Sequence, residues 1–288
     1  MNRYQIIHLT VYSYSGYVKL GLHALRLRPR EGHNLRIESS RITIQPEASL
    51  RWHRDVEDNS VAMARFTAPA DRLLIESSLI IQQYDQEPLD FLVEDYAVSY
   101  PFAYAPEDCS VLGAYLLAGP ASHAGTLAPW LSTIWQPGEA IESYVLLQRL
   151  NRSIHELVSY RQREEPGVQT PAETLVCLTG SCRDLAFLFM EAAKLLGFAA
   201  RFVSGYSCTA HAEDDAGSTH AWAEVFLPGA GWKGFDPTRG EIVGENHMSV
   251  AVGRLPHSVP PIGGSYIGDS RLLSMDVAVR VIKLLDYA

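Results

Sequence analysis

The sequence predicts an α+β fold: an antiparallel, sandwich-like β unit at the N-terminus, followed by a core of helices packed on an antiparallel sheet. Three observations carry that prediction. Residues 1–85 break into short runs of alternating polarity separated by turn residues. Two later stretches, residues 140–159 and Asp184 to Leu196, repeat apolar side chains every three or four positions. Finally, His220 to Leu227 alternates, turns at Pro228-Gly229-Ala230-Gly231, and returns as Trp232 to Asp236.

In chain order, the strands expected in the first unit are Ile6–Tyr12, Leu20–Leu27, Arg36–Ile44, Val61–Phe66 and Leu73–Tyr84. Residues 86–139 are rich in Tyr, Pro and Ala with weak periodicity, and read as a connector. Residues 140–288 then form the second unit. Its first helix carries Ile141, Tyr144, Leu147, Leu150, Ile154 and Leu157 on one face. A charged turn, Tyr160 to Gly167, precedes a second start signal. Thr170 stands as N-cap, Pro171 at the first helical position and Glu173 at the third, which spells a capping box. Thr179-Gly180-Ser181 turns into the helix of Leu185, Leu188, Phe189, Ala192 and Leu195, and Gly197 closes it. Beyond Asp236 the tail offers strands at His247–Val252 and Met275–Leu284.

The chain has 288 residues, 47% of them hydrophobic, enough for real cores. A net charge of −9 argues against nucleic acid as a partner, since that needs a basic footprint. No apolar run reaches the length of a membrane span. Met1 to His8 has neither the apolar core nor the cleavage site of a secretory signal, so a cytoplasmic location is expected. Cys109, Cys177, Cys182 and Cys208 lack framework spacing and are expected as reduced thiols, with Cys177 and Cys208 as small buried residues.

Three fragments concentrate the chemistry: Gly180-Ser181-Cys182-Arg183-Asp184, Thr219-His220-Ala221-Trp222 and Gly234-Phe235-Asp236-Pro237-Thr238. A cysteine in the first turn of a helix meets unpaired N–H groups and the positive end of the helix dipole, which favour a thiolate. His220 and Asp236 can act as its base and orienting carboxylate only if they share a sheet face. An even hairpin loop sets Asp236 opposite Ala223, on the wrong face. One extra residue in the turn sets it opposite Trp222, diagonal to His220, so a triad requires an odd loop or a bulge. Trp222 either walls the cleft or packs in the core. Tyr160 is a candidate donor to an oxyanion. Asp184 reads as a first-turn helix stabiliser. His211, Glu213, Asp214 and Asp215 lack metal-ligand spacing and read as a solvated loop beside the cleft, so neither a metal nor a cofactor is called for.

These fragments, with Thr170 to Leu175, Gly197 to Tyr206, His220 to Val225 and Gly231 to Thr238, resemble the transglutaminase-like superfamily of papain-type thiol enzymes, in particular its bacterial, cysteine-protease-like branch. Residues 1 to about 85 resemble the β-rich N-terminal domain of bacterial members. The resemblance implies a papain/transglutaminase-like core in which the helix bearing Cys182 packs on an antiparallel sheet. It also implies Cys182 as nucleophile, His220 as base and Asp236 as orienting acid. The chain departs from the pattern at Gly253-Arg254-Leu255-Pro256-His257-Ser258-Val259, where an acidic Gly-Arg-Asp-Tyr-x-Asp-Val is expected, and at Arg183, where Gln is common. The expected activity is thiol-dependent acyl transfer at an amide, with hydrolysis of a peptide or isopeptide preferred. The alternatives are transamidation of protein glutamine and a catalytically idle peptide-binding module. The expected partner is a peptide or protein substrate; the sequence sets no oligomeric state.

Overall fold

The alternation at the start of the chain becomes one long strand, Asn2–Leu20, in which Tyr4, Ile6, His8 and Thr10 are buried at every second position. This computed structural model describes residues 1–84, 89–163, 165, 167–208 and 216–284. Asn2–Leu20 pairs antiparallel with Ala70–Gln83, which pairs in turn with Leu35–Gln45. A second sheet is made of Ala48–Arg54, Ser60–Phe66, His23–Leu25 and Ile262–Gly263. Tyr14, Val18, Leu73 and Ile75 of the first sheet meet Leu25, Ala62 and Ala64 of the second in a common core, so the unit is a sandwich. Ala48–Arg54 is absent from the sequence reading although Ala48, Leu50 and Trp52 alternate with Ser49, Arg51 and His53, and Ala48 and Leu50 pack against this core.

Besides the four-residue Asp95–Val98, the described residues of the weakly periodic connector contain two longer helices, Pro106–Leu116 and Ala121–Ile134, the second with Pro129 in its interior. Ala, Gly and Pro blur their pattern. The second is held by burial of Leu127, Leu131 and Ile134 in the main core rather than by a helical pattern of its own. In the second unit, Ala200–Cys208 lies between Ala216–Leu227 and His247–Gly253, and Gly231–Asp236 flanks Ala216–Leu227. Helices Ser143–Leu157 and Cys182–Leu195 bury Leu146, Leu150, Ile154, Leu185 and Phe189 in one cluster with Ala221, Ala223 and Val225. No helix among the described residues is long and apolar enough to cross a membrane.

The last strand differs from its expected place. Leu272–Leu284 was grouped with residues 140–288, yet it pairs with the first strand from Arg3↔Leu284 to Tyr14↔Leu272. Among the described residues it pairs with the His220 strand at Ala216 and Gly217. Pairing between the two ends of a chain leaves no local pattern to read. The two units are also sewn together at the outer edge of His247–Gly253. There the Arg30 N–H donates to the Ser249 carbonyl at 2.9 Å. The fully buried Asn59 side chain donates to the Val252 carbonyl at 2.7 Å and accepts from its N–H at 2.9 Å. A strand edge is thus closed by one amide side chain. Asn59→Ala would strand both Val252 groups, and a loss of about 1–3 kcal/mol in urea unfolding is the expected outcome.

Candidate active site

The loop that delivers Cys182 is built by two successive caps. Thr170 accepts from the Glu173 N–H at 3.2 Å while Glu173 accepts from the Thr170 N–H at 2.7 Å, so the capping box forms as spelled. Helix Pro171–Cys177 ends at Leu178, whose φ of 53° is the left-handed conformation that reverses the chain. Thr179 and Gly180 then pair in parallel with Ser159 and Tyr160. Ser181 caps the next helix, so Cys182 is its first residue, two positions earlier than the apolar periodicity alone suggested. At that position its N–H has no acceptor within the helix.

Asp184 completes the cap. Its carboxylate accepts from the Ser181 N–H at 2.8 Å, the Ser181 hydroxyl at 2.7 Å, the Gln169 N–H at 2.8 Å and the Arg163 guanidinium at 2.9 Å. Burial would raise its pKa, but Arg163 and these donors hold it below the ordinary value. The negative charge beside Cys182 is therefore matched locally by Arg163. The other cysteines stand apart from this loop, and all four are free. Cys177, expected to be buried, is exposed at the end of its short helix. Cys208 is half-buried and lies 3.5 Å from Asn246 Oδ1.

The hairpin supplies the other two groups. Its register runs from Leu227↔Gly231 to Ala223↔Phe235, so the loop is Pro228-Gly229-Ala230, an odd one. Gly229 and Gly231 take positive φ values of 82° and 75° to make it. One step further along the same register sets Asp236 opposite Trp222 and diagonal to His220. His220 Nε2–H accordingly donates to Asp236 Oδ2 at 2.7 Å. Cys182 lines the same cleft, close enough to the imidazole to favour its charged form. With Nε2 committed to Asp236, Nδ1 is the nitrogen left for the thiol. Burial alone would lower the pKa of His220; Asp236 and Cys182 outweigh it and raise it to about 9.

A residue missed from the sequence joins this group. His247 Nε2 lies 3.1 Å from the same Asp236 Oδ2, and the Thr238 N–H donates to Oδ1 at 2.9 Å. Burial would raise Asp236, but the two histidines hold it well below the usual carboxylate range. His247 sits on a different strand from His220, and only the pairing of both strands to Ala200–Cys208 brings them together. No spacing announces that. His220, Asp236 and His247 place their ligand-type atoms within 4.8 Å of one another, donor types a metal ion can use. Here the carboxylate already bridges the two rings, so an ion would have to displace both hydrogen bonds.

Cys182 and His220 open on a cleft of about 400 Å³. Phe187 and Phe202 line it, and Leu255 to Val259, the segment that departs from the family pattern, forms a wall. Tyr160 is 55% exposed and is not among the residues that line the cleft; partial burial and the nearby Cys182 raise its phenol. Trp222 is fully buried and does not wall the cleft. It shares a strand face with His220, and that face continues beneath the N-terminal unit. Its ring meets His247 edge-on at 5.2 Å and borders a second cavity of about 260 Å³ that reaches Arg30 and Gln83. His211, Glu213, Asp214 and Asp215 lie outside the described residues, as do Glu164 and Pro166 of the charged turn.

Residues 4–82 match the bacterial transglutaminase-like N-terminal region and residues 139–237 match the transglutaminase-like superfamily core. An uncharacterized protein of Mycobacterium tuberculosis is 28% identical over 309 aligned positions, covering 98% of this chain and 93% of that one. A second, from Mycobacterium leprae, is 24% identical and covers 99% of this chain and 100% of its own. Among solved structures, "a Putative Cysteine Protease from Cytophaga hutchinsonii" shares the fold with a TM-score of 0.75 at 16% identity, over 100% of this chain and 92% of that one. The two family matches together take in more than half of the residues and fall on the sandwich and on the Cys182–Asp236 core. The chain belongs to the transglutaminase-like superfamily and carries its bacterial N-terminal region.

Proposed function

We propose that this protein is a thiol-dependent hydrolase of peptide or isopeptide bonds, working through Cys182, His220 and Asp236. One observation carries the reading: a single buried imidazole hydrogen-bonds Asp236 and shares the cleft with Cys182, which acts on its charge. A site at the mouth of an open cleft then has its nucleophile, proton carrier and orienting carboxylate in line. His220, its pKa raised to about 9, carries a proton through neutral pH for the later departure of the amine. Cys182 Sγ attacks the carbonyl carbon, and the developing oxyanion meets the Cys182 N–H at the helix start. Tyr160 is the second donor we assign to that oxyanion. His220 passes its proton to the departing amine, leaving a thioester. Water then adds to the thioester with His220 as base, releasing the acid and restoring the thiol. Such chemistry needs Cys182 reduced, which suits a cytoplasmic setting.

The test is to trap the acyl-enzyme. Wild-type protein incubated with a peptide library and quenched in acid should carry an acyl adduct on the Cys182 peptide by mass spectrometry. Cys182→Ala should carry none. Product released with added water-soluble amine should remain mostly the free acid; predominant amide product would favour transamidation. An unmodified Cys182, reacting with iodoacetamide no faster than Cys109 or Cys177, would identify an idle peptide-binding domain and sink the proposal.

The pH window follows from the same geometry. The elevated pKa of His220 stabilises the fold fully below about 6.5 and that contribution is lost as pH rises through about 9. The depressed Asp236 contributes above its ordinary 3.8 and loses it as pH falls. Thermal unfolding should therefore come earlier at pH 9.5 than at pH 6, and a His220→Gln variant should show a smaller difference between the two.

A further inference from the structure

Resting on the reading above, we infer that the acyl donor presents a bulky apolar side chain, aliphatic or aromatic, beside the scissile carbonyl. The cleft that holds Cys182 and His220 is lined by Phe187, Phe202, Leu255, Pro256 and Val259. Phe187 lies farther along the helix that starts at Cys182, and Phe202 lies on the strand paired to the His220 strand, so both are fixed to the chemistry by rigid elements. Val259 is 2% exposed and belongs to the main core, which anchors the facing wall.

The volume, about 400 Å³, is within the range of small-ligand sites and accommodates a large side chain with part of its backbone. The charged groups on this lining are cationic or potentially so: Arg183, His220 and the exposed His257. A lysine or arginine side chain entering here would lose water against phenyl rings and prolines while facing Arg183. A glutamine side chain would desolvate its amide against the same wall. An apolar side chain gains the full benefit of burial. The wall residues come from Leu255 to Val259, so selectivity is set by this largely apolar segment.

The experiment compares rates of Cys182 labelling by peptidyl acyloxymethyl ketones that differ only in the side chain next to the reactive carbonyl: Phe, Leu, Gln or Lys. Iodoacetamide labelling serves as a reference that ignores the pocket. Phe and Leu reagents are expected to label about 10–100-fold faster than Lys. Leu255→Glu, at a half-buried wall position, should narrow or reverse that ratio after each ketone rate is divided by the same variant's iodoacetamide rate. Val168→Glu, in the loop on the opposite lip, gives a second carboxylate if the first variant folds poorly. Selective iodoacetamide reaction at Cys182 with equal rates for all four ketones would overturn this inference and spare the proposed chemistry. Unchanged ratios in folded Leu255→Glu and Val168→Glu would overturn it too. Failure of every reagent to select Cys182 would overturn both.

Discussion

Asp236→Asn should cut turnover by up to roughly 10⁴, the cost of the equivalent change in a serine protease. The buried carboxylate serves three donors, from His220, His247 and Thr238. An amide offers one acceptor oxygen: in the place of Oδ2 it sets its own NH2 against the Thr238 N–H, and in the place of Oδ1 it sets that NH2 against both imidazoles. The charge that outweighs burial at His220 also disappears. Because His220 must be protonated to release the amine, the alkaline limb of kcat/KM should stand near pH 9 in the wild type and move down in the variant. The check is a kcat/KM profile between pH 5 and 10.5 on a substrate found by acyl trapping. Turnover within about twofold of wild type with an unmoved limb would reduce Asp236 to a turn residue.

The second large effect is expected from one missing methyl group. Gly205 pairs with His220 on one side and Ser249 on the other, at the centre of the sheet. A Cβ at this glycine would collide with the Met248 carbonyl oxygen and with the six-membered ring of Trp222. Trp222 is fully buried against His247, so its ring cannot swing away without moving the support of Asp236. Gly205→Ala should therefore destabilise by about 1–3 kcal/mol and also lower turnover, although it touches no substrate. Gly113, in helix Pro106–Leu116, has open space around it. Gly113→Ala makes the same chemical change there and should be neutral or mildly stabilising. Chemical denaturation of the two variants decides the matter; equal midpoints would show that the strand face has room to spare.

What the sequence disclosed and withheld divides along the range of the interactions. Cys182 was legible because helix capping and apolar periodicity are local signals, and the His220–Asp236 pairing because hairpin register is arithmetic. The odd loop that arithmetic requires is the one found at Pro228-Gly229-Ala230. His247 was visible only as the start of a strand. Its neighbours in the site come from a strand two places away, and nothing near it in the chain marks a histidine bound to a carboxylate. Trp222 read as a possible cleft wall because alternation gives a face but not what covers that face. The cover is the N-terminal unit, fastened through Asn59 and Arg30. The helices at Pro106–Leu116 and Ala121–Ile134 were hidden for a third reason: their sequences carry little helical signal of their own.

The pairing of the first strand with the last sets a schedule for biosynthesis. Asn2–Leu20 leaves the ribosome before both of its partners, finds Ala70–Gln83 early, and then keeps one edge open until Leu272–Leu284 has emerged. At about 5–20 residues per second that wait is on the order of tens of seconds. An unpaired edge carrying Ile6, Leu9 and Val11 is a template for the wrong neighbour throughout that time. Nascent chains stalled before residue 272 would contain Cys182, His220, Asp236 and His247 and still present an unfinished sheet. A C-terminal truncation that spares every reactive group is thus a folding lesion, and crowded synthesis on polysomes is where it would tell first.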